Sequence, residues 1–354
     1  MTQKIRIKDI AEKAGVSIGT VDRILHNRPN VSKEAREKVE RVMKEINFHP
    51  NRYASALAYN KSYTFFIVMP QHESEAYWQE VEMGAMKAGE TMNDFHVDVQ
   101  IRYFSRFDTQ SYEQALQEVI ESRPSGIVLV PYDLEVMRPY TDMLHKQDIP
   151  FVLIDSYISE LKPLSFFGQD PIRSGLFAAR TLMLFAREEQ EIMLMRHTKN
   201  GQVDSRQQAS RETGFRHYMQ EHFPKTRIVE FDLSQPYDQD ELDQRLDDFF
   251  ASHPLVHHCI TMSSKAHIVG TYLLRKNRRN IQIMGYDMVN QNVVCLREGS
   301  ISFLIAQHAY MQGYYCIDTL FRAIVLRQEV KPVNYMPIEL ITRENADYYW
   351  RKFI

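Results

Sequence analysis

Two hydroxyls and one guanidinium fall close together near the N-terminus, in Ser17-Ile18-Gly19-Thr20-Val21-Asp22-Arg23. Ser17 stands where an N-cap would open a helix, and Thr20 lies in that helix's first turn. Both can offer hydroxyls to a phosphate, at the helix end that favours an anion. Ile18, Gly19, Asp22 and Arg23 would share a groove-facing side. Arg23 can bond a guanine edge through its planar fork, and Ile18 can touch a thymine methyl. Gly19 reads nothing by side chain. Asp22 repels phosphate but can pair with Arg23 or with a base amine. This is the chemistry of gripping a duplex groove.

The elements that would hold these residues are short helices. Ile7, Ile10, Ala11 and Ala14 recur at helical spacing, and Gly15 breaks the pattern before the second helix, which runs through Thr20, Val21, Ile24 and Leu25. A helix, a turn and a second helix make a helix-turn-helix, whose second helix lies in the major groove. Asn27-Arg28-Pro29-Asn30 is a turn. Ser32 with Ala35, Val39, Val42, Met43 and Ile46 gives a third, amphipathic helix that Pro50 ends. Residues 51–61, NRYASALAYNK, are small and polar, and Ala54, Leu57 and Ala58 would share a face if helical. Such a segment is short for an isolated helix, so its order depends on a partner.

From residue 62 onward the pattern changes to alternating strands and helices. Strands are expected at Tyr63–Met69, Val97–Phe104, Gly126–Pro131, Phe151–Ile154, Ile192–Met195, Arg227–Phe231, His257–Met262 and Ile281–Gly285. The helical runs between them argue for βαβ units and parallel sheets covered on both faces, and the number of strands fits two doubly wound sheets better than one.

Charge divides the same way. Residues 1–61 hold 13 Lys/Arg against 7 Asp/Glu, and the rest of the 354 residues hold 30 against 39, so a head of +6 precedes a body of −9. A basic head on an acidic body meets a polyanion with one end. Apolar residues at 44% and charged ones at 25% exclude a disordered or collagen-like chain. No apolar run approaches the roughly 20 residues of a membrane span, and the charged start is unlike a signal peptide, so the cytoplasm is the expected compartment. Cys259, Cys295 and Cys316 lack metal spacing and are expected as buried thiols. Adjacent His257 and His258 would point to opposite faces of a strand. There is no GxSxG, HExxH, P-loop or GxGxxG signature; no catalytic residues, metal or cofactor are expected.

The runs DIAEKAGVS, TV.RIL, VS.EAREKV and NFHPNR.A..L stand here in the order and spacing of the LacI family of bacterial transcription regulators, which the chain resembles over essentially its whole length. The resemblance implies a small helix-turn-helix head at residues 1–50 and a hinge helix at 51–61. It also implies an α/β body at 62–354 of the periplasmic binding protein type I kind, for binding an effector and for dimerising. Its N-subdomain would take about 62–167 and 300–332, its C-subdomain about 168–299 and 333–354. The implied activity is that of a homodimeric repressor on double-stranded operator DNA, released or engaged by a small sugar-like effector. Asn27, Ser32, Asn51 and Arg52 complete the expected DNA contacts, with Ala54 and Leu57 entering the minor groove, where a leucine wedge kinks the duplex. The departures at Ile18-Gly19 and Asp22 bear on the operator sequence, not on the mode of binding.

The same resemblance places effector-binding residues between the lobes. Tyr77 and Trp78 fall on stacking aromatics and Asp155, after PFVLID, on a pocket acid. Asp170, in FGQDPIRSG, lies at the lobe crossing. Arg211 falls on a ligand-anchoring arginine, Asp287, in MGYD, on a hydroxyl-binding acid, and Gln307 on a pocket glutamine. Ser263 stands where many relatives carry Asn-Asp. Carboxylates accepting hydroxyls and a forked arginine suit vicinal diols. Two other readings stay open at this point: a sugar-binding sensor without a specific operator, and an enzyme on a doubly wound fold. Arg211 and Asp287 could also pair with each other in an empty cleft.

Overall fold

The computed structural model describes residues 6–351 apart from 26–28, 47, 49–52, 54–60, 73–76, 107, 200, 201, 204 and 234–237. The chain divides into two compact units, Met1–Lys61 and Ser62–Ile354. Asn27, Asn51, Arg52, Ala54 and Leu57, and with them the expected hinge helix, lie outside the described residues.

The head contains α1 (Ile7–Ala14), α2 (Ile18–Leu25) and α3 (Lys33–Glu45). The Arg6 amide donates to the Asp9 carboxylate (2.7 Å) at the start of α1. Gly15, at φ +65°, ends α1 in the left-handed region that costs a glycine little. Ser17 then accepts from the Thr20 amide (3.1 Å), which opens α2. Ser32 caps α3 by accepting from the Ala35 amide (3.2 Å). The helix closes at Glu45, earlier than Pro50 would require, with Ile46 as its cap. Ile10, Ala11, Ala14, Val21, Ile24, Val39 and Val42 meet in one small core.

Fourteen strands are found in the described body. In chain order they are β1 (Tyr63–Pro70), β2 (Val97–Phe104), β3 (Gly126–Leu129), β4 (Phe151–Ile154), β5 (Ser165–Gly168), β6 (Glu191–Arg196) and β7 (Thr198–Lys199). They continue with β8 (Gln202–Val203), β9 (Arg227–Asp232), β10 (Val256–Thr261), β11 (Gln282–Tyr286), β12 (Phe303–Ala306), β13 (Asn334–Tyr335) and β14 (Glu339–Ile341). Two six-stranded sheets result, ordered β13-β5-β4-β3-β1-β2 and β14-β12-β11-β10-β6-β9, with β7 and β8 as a separate ribbon. All pairings within the six-stranded sheets are parallel except β12 with β14. In the second sheet Met193, Cys259, Ile283 and Leu304 face one apolar cluster, while Leu194, Ile260, Met284 and Ile305 face another. Both faces are dry, as parallel strands require. The three cysteines are buried free thiols.

The lobe boundaries differ from those expected. Residues 300–332 were assigned to the first lobe, yet β12 pairs with β11 in the second sheet. Residues 333–354 were assigned to the second, yet β13 adds an edge to β5 in the first. The crossings therefore fall after β5, after β12 and between β13 and β14. These strands are short, and a short apolar run carries too little periodicity to be read from sequence. A second correction concerns His257 and His258. Both Nδ1 atoms approach the same Glu189 oxygen, at 3.5 and 3.0 Å. The register of β10 against β6 shifts between Val256 and Cys259, which disturbs the alternation of faces.

Candidate functional sites

On the head, α2 separates its residues by face. Val21 and Ile24 are buried, whereas Ile18 (53% exposed), Gly19 and Arg23 are open to solvent and Asp22 is half-buried. Ser17 and Thr20 bond each other through their hydroxyls at 2.9 Å. Arg23 Nη1 donates to the Pro29 carbonyl at 3.2 Å, which holds the guanidinium toward the turn after α2. Ser32 is exposed, and its hydroxyl serves the cap of α3.

In the body, the site is built where strands end. Asp155 directly follows β4, Asp287 directly follows β11, Ser263 lies just past β10, and Gln307 directly follows β12. In doubly wound sheets ligands bind beyond the carboxyl ends of the strands. The two aspartates are set alike. The Asp155 amide donates to Phe167 O (2.9 Å) and the Asp287 amide to Ile305 O (3.0 Å), so each still pairs with the neighbouring strand. Each then adopts a positive φ, +71° and +70°, which Asp tolerates better than most residues. The strand thus stops and its carboxylate is turned out at the end of the sheet.

Helices supply the rest. Tyr77 opens the helix Tyr77–Thr91 and donates its phenol to Asp155 (3.4 Å). Trp78 is half-buried and packs edge-on against the Tyr77 ring at 5.0 Å. Arg211 lies in the helix Arg206–His222, only 3% exposed. Its Nη1 donates to Met262 O (3.0 Å), its Nη2 donates to Gln307 Oε1, and its guanidinium sits 4.3 Å from the centre of the Tyr286 ring. Gln307 passes the contact on by donating to Asp287 (2.6 Å). Arg211 and Asp287 are thus bridged by Gln307 rather than paired directly. Both helices are held by close backbone approach. A methyl on Gly84 would fall 1.8 Å from Tyr310 O, and one on Gly175 would fall 1.9 Å from Arg211 O.

Two further expected residues bond locally. Asp170 accepts from the Arg173 amide (3.0 Å) and caps the helix Pro171–Phe185. Ser263 is buried beside Met262, and its hydroxyl bonds Thr261 Oγ1 (3.0 Å). Asn292 bridges the two neighbouring strand ends by donating to Ser264 O, Tyr286 O and Asp287 O at 2.9–3.0 Å.

Three participants were not read from the sequence: Glu80, Gln207 and Gln312. Glu80 is at i+3 from Tyr77, and Arg211 is at i+4 from Gln207, so helical spacing would have found both. Gln207 donates to Asp155 O and joins the second lobe to the first. Gln312 donates to Gln307 O (2.8 Å). Gln207 Oε1, Gln312 Oε1 and Arg211 Nε are buried with no hydrogen-bond partner among the described residues. Buried polar atoms are otherwise nearly always satisfied. The electrostatics agree with a dry, acidic cluster. Burial pushes the Asp287 carboxyl up to about 6 against the opposing pull of Arg211. Burial also raises Asp155, opposed by Arg211 and Arg106. Glu80 is pushed up to about 8 by burial and then by Asp287.

An exposed recognition helix on a basic head, followed by a two-lobed body with polar side chains gathered at its strand ends, defines a DNA-binding regulator with a ligand-sensing domain. Comparison with known proteins agrees. The profile of the bacterial regulatory proteins of the lacI family matches residues 6–51, and that of the periplasmic binding protein domain matches residues 65–327. The chain belongs to the lacI family of bacterial transcription regulators. The ribose operon repressor of Lactococcus lactis is 25% identical over 96% of this chain and 97% of its own. The transcriptional regulator MalR of Streptococcus pneumoniae is 27% identical, but the match covers 49% of this chain and about half, 52%, of MalR. A crystal structure from Bacteroides fragilis, assigned to the LacI transcriptional regulators, is 43% identical with a TM-score of 0.78, covering 82% of this chain and 100% of that one.

Proposed function

We propose that the protein is a homodimeric, cytoplasmic transcription repressor whose grip on a two-fold operator is set by a small sugar-like ligand in the body. One observation carries the DNA-binding half. Helix α2 buries Val21 and Ile24 and leaves Ile18, Gly19 and Arg23 exposed, in a unit of net charge +6. In this reading that face enters the major groove, with Ser17, Thr20, Asn27, Ser32, Asn51 and Arg52 on the backbone and Ala54 and Leu57 at the minor groove. Two heads on a dimer would read half-sites about one helical turn apart.

The ligand-sensing half is supported by two bonded sets at the strand ends, Tyr77 with Asp155 and Arg211 through Gln307 with Asp287, and by Gln207 Oε1, Gln312 Oε1 and Arg211 Nε, which are buried without a hydrogen-bond partner among the described residues. A polyol offers hydroxyls that can serve acceptors and donors together. A ligand bridging the lobes would change their relative setting, and the dimer would convert that into altered spacing of the heads. The test is selection from a pool of random duplexes by the full-length protein. Enrichment of an inverted repeat is expected. Binding with no sequence preference and a steep salt dependence would overturn this reading and favour a sensor without an operator.

A further inference from the structure

Next to the strand end at Asp155 lies a cavity of about 200 Å³ that the expected site residues do not account for. One wall comes from the first lobe: Tyr157 lies two residues past Asp155, Phe166 in β5 and Tyr335 in β13. The centre of the Phe166 ring is 5.0 Å from that of Tyr157, tilted by 34°, and 6.0 Å from that of Tyr335, edge-on at 77°. Phe166 is buried, whereas Tyr157 and Tyr335 are 38% and 57% exposed, so two large aromatic rings stand open at one place. The other wall is the start of the helix Arg206–His222 in the second lobe, with Arg206, Gln207 and Ser210. Its polar groups are short of partners. Gln207 donates its Nε2 to Asp155 O, while its Oε1 is buried with no hydrogen-bond partner among the described residues. No hydrogen bond or ion pair of the Arg206 guanidinium, and no hydrogen bond of Ser210 Oγ, is found among the described residues. Ser156, also on the wall, ties the cavity to the strand end. Its hydroxyl donates to Asp155 Oδ2 (3.2 Å), and the other oxygen of that carboxylate accepts from Tyr77 (3.4 Å).

We propose that this cavity is a second sugar subsite and that the ligand is a disaccharide, with one ring beyond Asp155 at the strand ends and the next against Tyr157, Phe166 and Tyr335. This deepens the ligand-sensing reading and rests on it. The cavity is smaller than the roughly 300–1,000 Å³ of a site that takes a whole ligand, so it receives one ring and not the entire molecule. Aromatic faces cover the C–H side of a pyranose. Hydroxyls both donate and accept, so one ring can donate to Gln207 Oε1 and accept from Arg206. A phosphate at Arg206 brings acceptors alone and leaves Gln207 Oε1 unmet. Because the walls belong to different lobes, a ring between them binds one lobe setting better than another, which is what a ligand needs in order to shift the setting.

The experiment is calorimetric titration of the full-length protein with maltose, cellobiose, laminaribiose, gentiobiose, lactose, mannobiose and xylobiose. Each is compared with its component monosaccharides, and glucose 6-phosphate is titrated alongside. At least one disaccharide is expected to bind about tenfold or more tighter than either of its components. Tyr335→Ala and Arg206→Ala, both at exposed positions, should each remove most of that gain while leaving the monosaccharides within about twofold. The proposal is overturned if no disaccharide binds tighter than its own components. If a monosaccharide then still binds, and its binding is lost in Asp287→Asn, the ligand-sensing reading stands and the subsite alone falls. A gain that survives both variants also overturns the proposal, since the second ring then lies elsewhere. Glucose 6-phosphate binding tighter than every disaccharide, with its advantage lost in Arg206→Ala, would give the cavity to an anion and end the disaccharide assignment. No heat with any of these sugars removes the subsite and the sugar reading together.

Discussion

Asp287→Asn should stabilise the empty protein in alkaline solution while abolishing its response to ligand. The Asp287 carboxyl is 6% exposed and titrates near 6 in the fold against 3.8 when free. An acid raised by folding contributes its full share of stability below its free value and loses it as pH rises through the folded one. The loss therefore runs from about pH 4 to about pH 7 and amounts to about 3 kcal/mol. Asparagine is neutral throughout, tolerates the positive φ at this position, and can still accept from Gln307. Its amide brings two donors toward Arg211, which offsets part of the gain. A net stabilisation of about 1–3 kcal/mol is expected at pH 8, shrinking to nothing near pH 4. Trp78 and Trp350, the two tryptophans, both lie in the body, so denaturation followed by their fluorescence reports on that unit. A variant less stable than the parent at pH 8 would refute the reasoning: Asp287 would then be a structural ion-pair residue rather than a carboxylate held for a ligand.

Three further outcomes are expected. Arg23→Ala should weaken binding to the selected duplex by about 1–3 kcal/mol and relax one base position, and an unchanged footprint would contradict its assignment to a base edge. Ser32→Ala removes the cap on α3 and should cost the head about 1 kcal/mol, visible as faster amide exchange in residues 33–45. Gly175→Ala places a methyl against Arg211 O and should destabilise the body by about 1–3 kcal/mol while displacing Arg211. Unchanged thermal stability would show that the two helices can part freely.

How much of this was legible depended on the length and regularity of each signal. The head could be read almost residue by residue, because α1–α3 are governed by local rules: Gly15 must turn left-handed, Ser17 and Ser32 must cap, and Ile10, Val21 and Val39 must face inward. All eight expected strands are present, since each is an apolar run flanked by helical periodicity. The strands β5, β12, β13 and β14 escaped, and with them the lobe boundaries, because each is 2–4 residues long and is fixed by pairing with distant chain. At the candidate site Tyr77, Asp155, Arg211, Asp287 and Gln307 were expected from family resemblance; Tyr77 bonds Asp155, and Gln307 joins Arg211 to Asp287. The helix cap made by Asp170 was not read from the sequence, although a carboxylate directly before Pro171 is a local capping signal. Gln207 and Gln312 belong to no motif; only the assembled fold shows that each keeps a buried oxygen without a partner among the described residues.

The central claim is that the head and the body exchange free energy. The direct measurement is a binding cycle: ligand affinity with and without the selected duplex, and duplex affinity with and without ligand, on the same full-length protein. Linkage requires the two ratios to be equal, and coupling of this kind is typically about 1–3 kcal/mol, a factor of roughly 5–150. Equal ratios well away from one are the predicted result. Ligand affinity that is the same on free and duplex-bound protein would contradict the account.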